Sequence, residues 1–278
     1  MQIRTLVVVC LASTLFCARA EAQFRPAGPT APGENYHVEL GAMFWTAKPG
    51  IVILSGSLAP LSSAGVDFVK EFNLEDKRFM ELRGVLKGGK HKMRISRVEF
   101  KWEESAVLTR PVVFGGRTFN VSADVTADLS WDLWRFGYEY DFASGDGGYV
   151  GFIAEVKHSN VNADLRASNA SGVATSVTDV NVPVPQFGIV GRGYPHKNVS
   201  ITAEFTGIKV PGWLREKLTD AEEFEANFKD FEIYGTVSIT RYFGIQGGYR
   251  SLDADYVVDD DSGDLEMKGP YFGGVVRF

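Results

Sequence analysis

Cysteine is nearly absent from this sequence. Its two copies, Cys10 and Cys17, lie close to the N-terminus. No disulfide network or Cys/His zinc site can be built from the rest, so an exported form must be held by backbone ladders and packing. Histidine is scarce, with four copies at His37, His91, His158 and His196. After the N-terminal segment no stretch reaches the roughly 18 apolar residues a spanning helix needs, so a membrane could be crossed only by strands. Positive charge is in deficit, with a formal net charge of −6. That argues against a nucleic-acid partner, which needs a basic patch. There is no phosphate loop, dinucleotide fingerprint or metal-ligand spacing, and no cofactor or bound metal is expected.

What is present begins with an export signal. Arg4 opens it, Leu6 to Phe16 is an apolar run, and Ala18-Arg19-Ala20 and Ala20-Glu21-Ala22 are small-residue cleavage sites. Residues 1–22 are read as a signal peptide. A lipoprotein site at Cys17 is the rival reading, weakened by bulky Phe16 where a small residue belongs. Cleavage after residue 20 removes Arg4 and Arg19 and takes the net charge from −6 to −8. Residues 23–34, rich in Pro, Gly and Ala, are read as a flexible linker, and residues 35–278 as a single domain.

Glycine and aromatics are plentiful, with 30 Gly and 20 Phe, and from Tyr36 onward the chain alternates with the period of two that a strand imposes. Val38, Leu40, Ala42 and Phe44 share one face, as do Val98, Phe100 and Trp102, then Trp134, Phe136, Tyr138 and Tyr140, then Ile201, Ala203 and Phe205. Charged residues occupy the opposite faces. The stretch 119–142 is too long for a bilayer alone. Its earlier half carries Asp124, Asp128 and Asp132 on the face that later turns aromatic, so it is expected to project beyond the membrane. Pro183 and Pro185 are awkward in a regular central strand.

Short turns are predicted at Gly88–Lys90, Gly145–Gly148, Tyr194–Asn198 and Arg241–Gly244. They alternate with longer connections at Lys48–Lys77, around Gly115, at Ser168–Ser176, Pro211–Lys229 and Asp259–Asp264. Short helices are expected within Val66–Leu74 and from Pro211. These amphipathic segments would cap the barrel mouth or lie on the outer leaflet. The fold class is all-β, an antiparallel transmembrane barrel of about ten strands, with eight as the alternative. A soluble periplasmic barrel or sandwich shares the alternation but would turn its apolar faces inward.

The final stretch Leu265–Phe278 puts Phe278, Val276, Gly274 and Phe272 on one face and Arg277, Val275, Gly273 and Tyr271 on the other. It resembles the closing strand of the bacterial outer-membrane β-barrel superfamily. The resemblance implies an outer-membrane location and assembly by the barrel-assembly machinery through the terminal aromatics Tyr271, Phe272 and Phe278. It also implies outer-membrane lipid and lipopolysaccharide as surroundings, and a monomer.

With apolar faces toward lipid, the lumen would hold Glu39, Glu81, Arg83, Arg97, Glu99, Lys101, Arg135, Glu139, Glu155, Lys157, Glu204, Glu232 and Arg250. Mixed signs at close quarters predict a lumen closed by ion pairs. A narrow solute channel is the functional alternative, since open porins use about 16–18 strands. No catalytic residue is assigned. Lipid A deacylases use His, Ser and an acid on a barrel wall, whereas His158 and Ser159 are adjacent and so face opposite sides. Omptin proteases place a His-Asp pair and an Asp pair at the barrel mouth, and no His-x-Asp or Asp-x-His pair lies near a strand end here. Asp259–Asp264 has part of a Ca²⁺-loop pattern but lacks the distal bidentate Glu, and is read as an acidic hairpin tip suited to divalent bridging with lipopolysaccharide.

Overall fold

The structure, a computed structural model, describes residues 31–54, 65–114, 117–169, 172–209, 224–258 and 261–278. The signal-peptide and lipoprotein readings, the linker up to residue 30, Gly115–Gly116, residues 210–223 and Asp259–Asp260 fall outside them.

Ten long strands follow one another: β1 (Val38–Leu54), β3 (Lys77–Gly88), β4 (His91–Val107), β7 (Asp124–Gly145), β8 (Gly148–Asn169), β9 (Gly172–His196), β10 (Val199–Lys209), β11 (Phe224–Ser238), β12 (Phe243–Val258) and β13 (Asp261–Arg277). Three short ones, β2 (Val66–Asp67), β5 (Val112–Phe114) and β6 (Arg117–Phe119), and one helix, α1 (Phe68–Phe72), lie in the connections. Each long strand pairs antiparallel with the next, and β13 pairs with β1 from Glu39↔Arg277 to Leu54↔Ser262. The sheet is therefore a closed barrel of ten antiparallel strands. Closure removes the edges an open sheet would leave unpaired. The seam is finished by backbone bonds from His37 and Val38 N–H to the Phe278 carbonyl, and from Phe278 N–H to the Val38 carbonyl. One end carries the short turns. Gly89 sits there at φ 61, the left-handed conformation that a tight turn demands and glycine supplies.

The strands run further than the sequence pattern suggests, which corrects several boundaries. β1 continues to Leu54, β8 and β9 take up nearly all of Ser168–Ser176, β13 begins at Asp261, and residues 224–229, expected in a helical loop, are strand. β7 and β8 have 22 residues and β9 has 25, about twice the 9–11 that cross a bilayer. Among the described residues, Gly172–Gln186 of β9 pair only with β8, because the β10 ladder stops at Phe187↔Gly207. Pro183 and Pro185 lie in that one-sided stretch, where a missing N–H leaves fewer ladder bonds unmade.

Polarity reverses along the barrel axis while the alternation of β4 and β7 carries on through the reversal. In the lower part of β4, Met93 and Ile95 are exposed on the outer wall, and Lys92 and Arg94 point inward. Higher up the same strand, Arg97, Glu99 and Lys101 are exposed outside, and Val98, Phe100 and Trp102 are buried inside. β7 does the same: Phe136, Tyr138, Tyr140 and Phe142 face out below, Ser130 and Asp128 above, while the inner face changes from Arg135 and Glu139 to Leu129, Trp131 and Leu133. The lower barrel is thus apolar outside and charged inside. The upper barrel is polar outside, with one continuous apolar core within.

That core is capped by α1 and the β5–β6 hairpin. Asp67 caps α1 by accepting from Lys70 N–H at 3.1 Å, and Asn73 ends it in a left-handed conformation at φ 51. Phe68 meets Phe72 and Phe114 with ring centroids 5.6 and 6.0 Å apart. Glu71 accepts from Arg110 at 2.6 Å, tying the helix to the segment that leads into the hairpin.

Candidate functional site

Among the described residues the lower lumen is where ionisable groups converge in number, and strand alternation aims them there. Among the described residues nine cations (Arg83, Lys87, Lys92, Arg94, Arg135, Lys157, Arg192, Arg250, Arg277) meet nine carboxylates (Glu34, Glu39, Glu81, Glu139, Asp141, Glu155, Glu204, Asp230, Glu232) in a network that is formally neutral. An unpaired charge in such an enclosure is costly, so pairing and hydrogen bonding decide whether it can exist.

The network has three storeys. At the floor, near the short turns, Arg277 donates to Glu39 at 2.5 Å and to Ser238 at 3.2 Å. Glu34 enters from the N-terminal side, accepting from Arg192 at 2.5 Å and Lys87 at 2.7 Å. Tyr36 packs its ring beneath Lys87 and Arg277. Burial alone would raise the Glu34 pKa, but Arg192, Lys87 and Lys92 more than offset it and hold the carboxyl well below the usual carboxylate range. This corrects the linker reading at its end: residues 31–34 include a 3-10 turn, Pro32–Glu34, whose acidic residue plugs the floor.

In the middle storey, Lys92 reaches Glu139 at 2.6 Å and Asp141 at 3.0 Å, with its ammonium 3.6 Å from the centre of the Tyr149 ring. Arg94 bridges Glu139 at 3.1 Å and Glu204 at 2.7 Å, and Arg135 donates to Glu155 at 2.7 Å. In the top storey, Lys157 is fully buried and reaches Asp230 at 2.6 Å and Gln186 at 2.9 Å. Arg250 forks between Asp230, at 2.9 and 2.7 Å, and Glu81, at 3.1 Å. Arg83 joins Glu81 to Glu232, both at 2.6 Å, and Glu232 also accepts from the Tyr271 hydroxyl. Above, the Arg250 guanidinium lies 5.0 Å from the ring of Trp45, where the apolar core begins.

The structure brings Glu39, Glu81, Arg83, Arg135, Glu139, Glu155, Lys157, Glu204, Glu232 and Arg250 into this network. It does not bring in Arg97, Glu99 or Lys101. These point outward, Arg97 bonded to Asp132 at 2.9 and 3.1 Å and 5.2 Å from the Trp134 ring. The expectation failed because it took the apolar partners Val98, Phe100 and Trp102 to face lipid. At their height the outside is polar and the apolar face turns in. Sequence reasoning also missed Glu34, Lys87, Lys92, Arg94, Asp141, Arg192, Asp230 and Arg277. The alternation phase of each strand, carried through to its end, contained that information for all but Glu34. Of the terminal aromatics, Phe272 and Phe278 are exposed on the outer wall, and Tyr271 points into the lumen.

The histidines are scattered. His37, His91 and His196 lie near the short turns. His158 faces outward, while its neighbour Ser159 faces inward and accepts from the Trp131 indole at 2.8 Å. Among the described residues no group of three or more His, Cys, Asp or Glu is arranged to hold a metal.

No protein-family model matches the chain, and no curated protein matches its sequence. Solved structures do match in shape. The outer membrane protease OmpT from Escherichia coli aligns over 87% of this chain and 96% of its own, with a TM-score of 0.52 and 6% identity. The toluene transporter TodX of Pseudomonas putida covers 90% and 93%, with a TM-score of 0.37 and 8% identity. Ail, the attachment invasion locus protein of Yersinia pestis, covers 87% and 99%, with a TM-score of 0.34 and 11% identity. At these identities the likeness speaks to fold alone. The chain has the fold of a bacterial outer-membrane β-barrel, closed, ten-stranded and antiparallel among the described residues.

Proposed function

We propose that this protein is a non-enzymatic surface or structural barrel of a Gram-negative outer membrane, acting as a monomer with a closed lumen. The observation that carries the proposal is the filling of the interior from end to end. Glu34 and Arg277 occupy the floor, interlocked ion pairs the middle, and a packed aromatic core the top. The balanced charges inside favour a permanent plug, because among the described residues each has an oppositely charged partner within reach. Outer-membrane lipid and lipopolysaccharide are the surroundings that suit its apolar belt and its polar upper wall. The barrel-assembly machinery is the partner that would fold it, with Phe272 and Phe278 on the lipid-facing wall as the recognised aromatics.

Planar-bilayer recording on the refolded protein, after its heat-modifiable migration on a gel is verified, tests the reading. The expected result is electrical silence. A steady unitary conductance would overturn the plug and establish a narrow channel.

A further inference from the structure

The outer wall of a barrel should be convex, yet here it carries an apolar groove of about 650 Å³, within the range of roughly 300–1,000 Å³ for clefts that hold small molecules. Two adjacent ladder rows form it. One runs Gly84↔Ile95, Ile95↔Phe136, Phe136↔Val156 and Val156↔Pro185, from β3 to β9. The other, nearer the short turns, runs Leu86↔Met93, Met93↔Tyr138, Tyr138↔Ala154 and Ala154↔Phe187. The depression arises where Gly84, Ala154 and Pro185 present little or no side chain between large neighbours. Leu86 and Phe187, at opposite ends of the second row, are more than half exposed.

The groove lies in the lipid-facing belt, so its natural filler is hydrocarbon. Its shape suits a chain. With β1 included at Val38 and Leu40, six neighbouring strands line it, and at about 4.8 Å between strands that is some 24 Å of track. One leaflet supplies about 15 Å of hydrocarbon, half of the roughly 30 Å core. A straight vertical tail would not fill it, but an extended tail inclined along the rows would. The row just above changes character: Arg97↔Trp134 and Trp134↔His158 occupy it on β4, β7 and β8. Trp134 stacks on Phe136, with ring centroids 5.8 Å apart and planes 4° from parallel, and the Arg97 guanidinium lies 5.2 Å from the centre of the Trp134 ring. An amphipathic indole flanked by a guanidinium and an imidazole, directly over an apolar track, is how a protein meets the boundary between tail and headgroup.

We infer that this groove holds one ordered acyl chain of an outer-leaflet lipid, with the headgroup resting at the Arg97–Trp134–His158 row. Long-chain hydrocarbon is what it selects. Headgroup charge matters little, because Arg97 is already neutralised by Asp132.

The test is lipid retention. The protein is refolded in dioleoyl phosphatidylethanolamine vesicles, extracted into detergent, and examined by native mass spectrometry. One lipid should remain bound. Ala154→Phe and Pro185→Phe, each filling the groove from a different strand, should lower the lipid-bound fraction about tenfold or more. Ala203→Phe, on the outer wall of β10 away from the groove, should leave it unchanged. Two filling variants guard against one that fails to fold, and gel migration identifies the folded ones. The dihexanoyl form of the same lipid should not be retained. No retained lipid in the unaltered protein, equal retention by the folded filling variants, or retention of the short-chain lipid would each overturn the assignment.

Discussion

Arg250 shows how one side chain can hold several strands. It is fully buried and ties β12 to Asp230 on β11 and, across the lumen, to Glu81 on β3. Arg250→Met keeps most of the volume but leaves two carboxylates short of a partner. It should destabilise the barrel by about 3–5 kcal/mol, the usual result of breaking a buried pair from one side. Adding Asp230→Leu should not recover the loss, because it also takes the nearest carboxylate from the fully buried Lys157. Denaturant unfolding of the refolded proteins in detergent, followed by gel migration, would measure both. Glu34 adds a pH signature. Its folded-state pKa is depressed by Arg192 and Lys87 against the pull of burial. Its contribution is therefore fully present above the ordinary carboxylate value near 4.5 and fades as pH falls below it. Glu34→Gln should be clearly less stable than the unaltered protein at pH 7, and the gap should narrow as unfolding is measured at progressively lower pH. A gap that stays constant with pH would mean that Glu34 matters by its shape and not its charge.

The strand is the scale at which the sequence was most legible and also most misleading. Because a closed barrel repeats one simple environment many times, period two marked all ten long strands and the short turns between them, but not the bounds of the long connections. It could not say where along a strand the outside changes from lipid to water. On β7 the clue was present: Asp124, Asp128 and Asp132 share a face with Phe136, Tyr138 and Tyr140, and the projecting end was read from it. On β4 the same transition lies between Ile95 and Arg97, with only Met93 and Ile95 before it to mark the apolar outer face, and three charges were assigned to the wrong side. Glu34 was not legible at all, since a single acidic residue after a Pro-Gly pair carries no period. The reversal makes a direct prediction on β7. Phe136→Arg should cost about 2–4 kcal/mol if it lies near the bilayer midplane, whereas Ser130→Arg, six residues higher on the same face, should change stability by no more than about 0.5 kcal/mol. Equal costs in lipid-vesicle unfolding would mean that the boundary has been put at the wrong height.

At the scale of the whole molecule, two kinds of interior share one continuous wall. Below, the outer wall is apolar and the inside holds the paired charges. Above, the solvent is water and the inside is packed like that of an ordinary soluble protein, with Trp45, Trp102 and Trp131 fully buried. The lower interior has a consequence for timing. Its pairs join residues far apart along the chain: Arg83 and Glu232 are 149 positions apart, Arg250 and Glu81 169, and Arg277 and Glu39 238. None can form in a partly made sheet, because each waits for strands from both ends of the sequence to arrive. Contacts of such long range make folding slow, and here they also make it late: Glu39 and Arg277 stay apart until the final strand meets the first. The last seam to close is thus the step at which the interior loses its water, and a chain that stalls before it keeps a wet, open gutter of strands in which Glu39 still lacks Arg277.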